Sequence, residues 1–168
     1  MYYRSEDGTI VGVLGDFDLS VHWSSQDRRT RTLPFTALEL LRAGRRPHLY
    51  RHDVESLFHV LVWIAARFND GKEVNPDALR GWCKNAKSSM LTKAVFTSEI
   101  GVLKSIVLTT QFQPLFETWL KPIWMLFLHG YWNLNLSNAG TPGVVVDHET
   151  LGITFEKVIE ILKPRAMT

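Results

Sequence analysis

The sequence predicts a mainly α-helical fold in which a small β-hairpin precedes about six helices. Apolar residues recur at helical spacing over most of the chain beyond residue 50, whereas the hairpin signal lies close to residue 1. Hydrophobic residues make up 45% and charged residues 21% of the 168 residues, which is a globular composition. This length predicts a single domain over residues 1–168 with a sizeable core.

The first predicted element is a hairpin. Two β-prone runs, residues 1–4 and 9–14, flank Asp7 and Gly8. Asp-Gly between two such runs is typical of a tight hairpin turn. A polar, basic stretch without apolar period follows over residues 20–34, and this pattern indicates a loop.

Short and long helices come next. Residues 36–42 have helical spacing, and glycine and proline soon afterwards end that helix. Asp53 is expected to cap a long helix over residues 53–68. Its apolar residues follow the i, i+3, i+4, i+7 rule and fill other faces as well, so we expect it to be the buried central helix. These apolar residues are Val54, Leu57, Phe58, Val60, Leu61, Val62, Trp63, Ile64, Ala65 and Phe68.

Further helices are expected in the second half of the chain. They cover about residues 75–84 and 88–108, and an apolar stripe over residues 115–127 indicates another helix, which Pro122 is expected to kink or to follow with a second one that it starts. Thr154 caps the last helix. The predicted parts are thus the hairpin, the loop with its short helix, the central helix and the remaining helices, over residues 1–19, 20–44, 53–68 and 69–168.

Composition excludes several classes of protein. A net charge of +2 is too small to indicate a nucleic-acid or membrane partner. The single cysteine, Cys83, leaves no intrachain disulfide and is typical of a reducing compartment, so an intracellular location in cytoplasm or nucleus is expected. No signal sequence opens the chain, and its longest apolar run is far shorter than the ~20 residues of a membrane span.

The order of motifs in residues 1–68 carries the functional signal. Asp16-Phe17-Asp18 ends the hairpin, and Ala37-Leu38-Glu39 opens the short helix after a polar loop. Protein kinases have this order in the activation segment, where D-F-G precedes A-P-E. These residues resemble the C-terminal lobe of the fungal-type protein kinase family. The similar segments are residues 13–19, 31–41 and 48–64.

The resemblance implies roles for four residues. Asp16 corresponds to the carboxylate that coordinates the magnesium ion bridging the ATP phosphates. Thr32 corresponds to the threonine of the substrate-binding loop, and Glu39 to the glutamate that pairs with an arginine deep in the lobe. Asp53 corresponds to the aspartate that anchors the catalytic loop through backbone N–H groups.

The elements that hold ATP are missing from these 168 residues. A kinase carries a Gly-rich loop, a strand lysine with its glutamate partner, and the H-R-D…N catalytic loop upstream of D-F-G. Here no G-x-G-x-x-G is present, and the first lysine is Lys72. Arg51-His52-Asp53 follows the D-F-D motif, so it is not the catalytic loop. We therefore expect that the chain contains no catalytic residue and lacks the N-terminal lobe. We also expect that Met1 corresponds to an internal methionine of the family.

The resemblance implies ATP-dependent phosphorylation of Ser or Thr on proteins, with ATP and magnesium as cofactors of the whole family protein. The chain alone is expected to use neither. Its expected partner is another protein or the missing kinase lobe, and self-association is expected because some helices that would cover residues 53–68 are absent. The alternative is a non-catalytic, kinase-like interaction module. A nucleic-acid-binding domain is a weaker alternative, because aromatic residues are not interleaved with the arginines.

We predict that another kinase, and not this chain, phosphorylates Thr30. Arg28, Arg29 and Arg31 lie beside it and can pair a phosphate. Purified chain incubated with ATP and magnesium is expected to stay unmodified in mass spectrometry, whereas chain recovered from its native cells carries phosphate at Thr30. Stoichiometric self-phosphorylation would contradict both this prediction and the expected inactivity. The further candidate sites are Ser24 and Ser25.

Overall fold

A computed structural model describes residues 2–8, 10–12, 32–42, 48–99, 101–102, 106–138 and 151–163. The chain divides into two compact units, Met1–Arg31 and Thr32–Thr168. The described part is mainly α-helical with small antiparallel strand pairs, which confirms the predicted fold class. No helix among these residues is long and apolar enough to cross a membrane.

The first unit contains the predicted hairpin. Strands β1 (Tyr2–Arg4) and β2 (Ile10–Gly12) pair antiparallel. In the turn, the N–H of Gly8 donates to the carbonyl of Ser5 at 2.9 Å. Gly8 has φ +84°, a left-handed conformation that glycine adopts without strain, so Asp-Gly was the correct turn signal.

The second unit begins with a tight turn and a short helix. A 3-10 helix, Leu33–Phe35, precedes helix α1, Leu38–Leu41. The predicted helix over residues 36–42 is therefore shorter than expected. Thr36 lies between the two elements in extended conformation, and its N–H donates to the carbonyl of Thr32 at 3.1 Å.

Helix α2 spans Tyr50–Arg67, so the predicted start at Asp53 was wrong. Leu49 holds the cap position, and its N–H donates to Nδ1 of His52 at 3.0 Å. Because a side chain in the first turn already satisfies this donor, the helix begins three residues before the aspartate. Asp53 lies in the first turn, where a carboxylate is favourable to the helix dipole.

The end of α2 is a second small hairpin. Strands β3 (Phe68–Asn69) and β4 (Lys72–Glu73) pair antiparallel. Asp70 and Gly71 between them have φ +49° and +74°, a left-handed conformation that glycine and aspartate tolerate. These two residues form the turn between β3 and β4, close to the end of α2.

Four more helices complete the described part. Helix α3 (Arg80–Lys84) and helix α4 (Ala86–Ser98) meet at Asn85, whose side chain accepts from the N–H of Ser88 at 2.8 Å. Both are shorter than predicted. A π-helical segment (Phe116–Leu120) leads into helix α5 (Lys121–Asn138), and helix α6 spans Phe155–Leu162.

Pro122 is the second residue of α5, so an α-helix starts at the proline, which is one of the two predicted outcomes. The wide turn of the π-helical segment comes directly before α5, and the N–H of Lys121 bonds the carbonyl of Phe116. Since proline has no N–H to donate, a change of helical register just before it costs little. Thr154 caps α6 as predicted, with its hydroxyl accepting from the N–H of Lys157 at 3.4 Å.

The core forms around α2. Phe58 stacks on Phe96 of α4 and Phe127 of α5, with ring centroids 6.0 and 5.4 Å away. Val54 and Val62 are buried as well. Several apolar side chains of residues 53–68 were expected to lack cover, but Phe58 is covered by rings of α4 and α5, and Val54 and Val62 are not exposed either. Ile64, in contrast, is 39% exposed, which agrees with the expected loss of cover at part of this helix.

We predict that Gly130→Ala destabilises the fold whereas Gly101→Ala does not. A Cβ at Gly130 would lie 2.4 Å from Cδ1 of the buried Ile153, but a Cβ at Gly101 has no atom within 4 Å. Alanine favours a helix by about 1 kcal/mol over glycine, and overpacking costs about 1–3 kcal/mol. Urea unfolding followed by circular dichroism should show a net loss of about 1 kcal/mol for Gly130→Ala alone. Equal midpoints for the two variants would contradict the close packing at Gly130.

Candidate functional site

A buried ion pair joins α1 to the start of α2. The guanidinium of Arg51 donates from Nη2 to Oε2 of Glu39 at 2.6 Å, and each side chain is 5% exposed. The family resemblance implies an arginine partner for Glu39 without naming it, and in the structure Glu39 pairs with Arg51. This arginine belongs to the Arg51-His52-Asp53 triplet, which lies on α2 and supports α1.

His52 completes the cluster around Glu39. Its Nδ1 accepts from the N–H of Leu49, so Nε2 carries the proton and lies 2.9 Å from Oε2 of Glu39. Burial lowers the pKa of His52, although the hydrogen bond with Glu39 opposes this change. A neutral imidazole suits both contacts, because a second proton would point at the N–H of Leu49.

The cluster strongly favours the charged form of Glu39. Burial alone would raise the pKa of this carboxyl, but the hydrogen bonds from His52 and Arg51 outweigh burial and lower the pKa from 4.5 to about 2. A depressed carboxyl pKa stabilises the folded state above the unfolded value. This contribution is therefore complete above pH 4.5 and is lost as the pH falls toward 2.

A second buried acid on α2 holds the first residue of α1. Oε1 of Glu55 accepts from the N–H of Leu38 at 2.9 Å, and Oε2 accepts from the hydroxyl of Tyr131 at 2.5 Å. Burial raises the pKa of Glu55, and these two hydrogen bonds oppose that rise. Glu55 thus connects α1, α2 and α5 through one carboxyl group.

A buried lysine holds the turn that precedes α1. Nζ of Lys93 on α4 donates to the carbonyls of Thr36 at 2.6 Å and Leu33 at 3.1 Å. It also lies 5.1 Å from the ring centroid of Trp82, within the range of a cation–π contact. Burial lowers the pKa of Lys93 to about 7, although the charges of Glu55 and Cys83 oppose the change.

His59 lies beside these groups and keeps one atom unpaired. It is buried one turn after Glu55 and contacts the ring of Trp82 edge-on, with centroids 4.9 Å apart. Among the described side chains, its Nδ1 is the buried polar atom without a hydrogen-bond partner. Burial and the nearby charge of Lys93 lower the pKa of His59 well below 6.5, so the ring is neutral.

Together these contacts hold the backbone of residues 32–39, which we call the loop segment. Arg51 binds Glu39 at the end of the segment, and Glu55 binds Leu38 at the start of α1. Lys93 binds Leu33 and Thr36 at the two ends of the 3-10 turn. Every one of these supports is a buried charged side chain. The arrangement can therefore keep one backbone conformation at the surface, where Thr32 is exposed.

The other predicted site residues divide into two groups. Thr32 is exposed, and its carbonyl accepts from the hydroxyl of Thr36 at 3.2 Å. The side chain of Asp53 is 66% exposed and lies 3.0 Å from Nε2 of His48. The expected roles of Thr32 in substrate binding and of Asp53 as an anchor stay predictions. The residues outside the described ranges are Asp16, Ser24, Ser25 and Thr30.

Sequence reasoning missed Glu55, His59 and Lys93. For the first two a signal was present: they lie at helical spacing with Val54, Phe58 and Val62, on the apolar part of α2. An ionisable residue at such a position is expected to be buried only if it is paired. Lys93 carried no comparable signal, because its burial depends on how α4 packs against the loop segment. Within the described ranges, no group of three or more His, Cys, Asp or Glu residues could hold a metal ion.

Comparison with known proteins agrees with the motif order. Residues 1–65 match the family model described as fungal protein kinase. This match covers the hairpin, the loop segment and most of α2, and it supports the resemblance of this part of the chain to the fungal-type protein kinase family. No curated protein and no solved structure gives a significant match to the chain.

We predict that Arg51→Met is far more destabilising than Arg67→Met. Removal of Arg51 takes the guanidinium charge away from the buried carboxylate of Glu39, which costs about 3–5 kcal/mol. Arg67 pairs with the partly exposed Glu73 and covers the ring of Trp63, contacts worth about 1–2 kcal/mol together. Urea unfolding at pH 7 measures both losses. Similar losses in the two variants would contradict a supporting role for the Glu39–Arg51 pair.

Proposed function

We propose that the chain forms part of the C-terminal lobe of a fungal-type protein kinase and presents the loop segment to protein substrates. The family match over residues 1–65 is the observation that carries the proposal. The reaction of the whole protein is then phosphoryl transfer from ATP to a Ser or Thr hydroxyl. The free thiol of Cys83 is in keeping with an intracellular location.

The contacts of the loop segment support a role in substrate binding. A kinase contributes to this reaction mainly by positioning the acceptor hydroxyl, because little covalent chemistry is left for the protein. Positioning needs a backbone that does not move. Buried charges at Glu39, Glu55 and Lys93 supply directional contacts to this backbone at both ends of the segment.

The described residues do not form a complete binding site for ATP and magnesium. In the family reaction the metal ion neutralises charge on the transferred phosphoryl group. The described ranges contain no cluster of metal ligands, and Asp16 alone is one carboxylate where magnesium requires near-octahedral coordination. In this proposal the 168 residues supply the substrate contacts and Asp16 as one metal ligand, and the other nucleotide contacts belong to the remaining parts of a kinase domain.

A fusion protein tests the proposal. The upstream part of an active fungal-type protein kinase, ending at its catalytic-loop asparagine, is joined to Met1 of the chain. This fusion is expected to phosphorylate Ser or Thr of a basic protein substrate, and Asp16→Asn should lower the rate at least about 100-fold because the metal ligand is lost. Asp77→Asn, an exposed carboxyl paired with Arg80, is the matched control and should keep full activity. A folded fusion without activity would overturn the proposal.

We predict that the chain alone does not bind ATP–magnesium at sub-millimolar concentrations. Asp16 is the single ATP-site group that its sequence contains by resemblance. Isothermal titration calorimetry with ATP and magnesium is expected to show no specific heat. A micromolar dissociation constant that disappears in Asp16→Ala would mean that the chain has its own nucleotide site.

The second candidate function is a non-catalytic interaction module. Leu57 and Ile64 on α2 are 36% and 39% exposed, and Trp132 on α5 is 66% exposed, which is a large share for apolar side chains. A protein partner or a second copy of the chain would cover them. An inactive fusion together with concentration-dependent self-association in sedimentation equilibrium would favour this function over the kinase role.

A further inference from the structure

Helix α4 supplies two polar side chains to the backbone of the 3-10 turn. Ser89 and Lys93 lie four residues apart and so face the same way. The hydroxyl of Ser89 donates to the carbonyl of Leu33 at 3.4 Å, and Nζ of Lys93 donates to the carbonyls of Leu33 and Thr36. Lys93 thus bridges the two ends of a turn that is three residues long.

Burial of Lys93 needs a reason, because its side chain is 0% exposed. Lysine is almost never fully buried unless it is paired, since desolvation of an ammonium group is expensive. The charge of Glu55 on α2 and the ring of Trp82 on α3 face the ammonium group, and Cys83 on α3 and the neutral His59 on α2 are the other titratable groups near it. Its direct hydrogen-bond acceptors are nevertheless main-chain carbonyls of the loop segment.

A 3-10 turn of this length does not hold its shape by itself. Its internal hydrogen bonds have poor geometry, and short helical turns are marginal in water. Removal of the donor at Lys93 would leave two carbonyls without their charged partner. The turn would then be free to sample other conformations while α1 stays bound through Glu39 and Glu55.

We propose that Lys93 is the positioning residue of the substrate-binding turn, residues 32–36. The inference rests on the proposed function, because that function makes these residues a substrate-binding loop. Lys93 is buried and acts through the carbonyls of Leu33 and Thr36, so it does not touch the substrate itself. Its loss is expected to weaken the apparent affinity for the protein substrate and to leave the chemical step nearly unchanged.

Hydrogen exchange on the chain itself tests the positioning role. Lys93→Met keeps most of the aliphatic side chain and removes the donors. Amide protons of residues 33–40 are expected to exchange about tenfold faster in this variant, while those of residues 125–134 on α5 change less than about twofold. Lys121→Met removes an exposed lysine that pairs with Glu117, and should alter neither region. Lys93→Arg, which keeps the charge and the donors, should return exchange toward the wild-type rate.

Two results would overturn the inference. Unchanged exchange of residues 33–40 in Lys93→Met would show that the turn holds its shape without the lysine. Equal acceleration in residues 33–40 and 125–134 would show that Lys93 supports the whole fold and not the turn. Either result is read from the chain alone, so it does not depend on kinase activity.

Kinetics of the fusion protein test the consequence for the substrate. Lys93→Met is expected to raise KM for a peptide substrate about tenfold, with kcat within about twofold of the wild type. A fall in kcat with unchanged KM would contradict a role in substrate binding. An inactive wild-type fusion would overturn the proposed function, and the exchange experiment would still decide whether Lys93 positions the turn.

Discussion

The ion pair between Glu39 and Arg51 determines where helix α1 lies. This helix is four residues long, too short to be stable in isolation, so it depends on tertiary contacts. A buried ion pair is favourable only when its remaining hydrogen-bonding groups are satisfied. His52 meets this condition by donating to Glu39 while its other nitrogen accepts from the cap of α2. One cluster therefore ends the loop segment and starts the central helix.

Helix α2 combines two kinds of stabilisation. Phe58, stacked on aromatic rings of α4 and α5, contributes apolar burial, which is strong but has no preferred direction. Glu55 and Glu39 make hydrogen bonds, which are directional and hold a backbone in one position. The apolar contacts keep these helices packed together, and the charged contacts specify the conformation of residues 32–39.

The sequence was sufficient for the elements whose signals are local. Asp7-Gly8 predicted the first hairpin, because a short connection between strands depends on the backbone preferences of its own residues. The apolar period predicted α2, and Thr154 predicted the start of α6, since a side-chain cap acts within three residues. The start of α2 was misplaced at Asp53 because a histidine in the first turn, which is not a usual capping residue, satisfies the cap.

The long-range pairs came from the tertiary structure. Glu39 was recognised as an acid that needs an arginine, yet the choice of Arg51 depends on the position of α1 against α2. Lys93 is 57 residues from Thr36 along the chain, and no periodicity indicates that α4 would place its ammonium group under the turn. Local patterns therefore predicted the elements and the family resemblance. The buried charges that hold the loop segment depended on packing between elements, because a hydrogen bond between distant residues exists only once their helices have met.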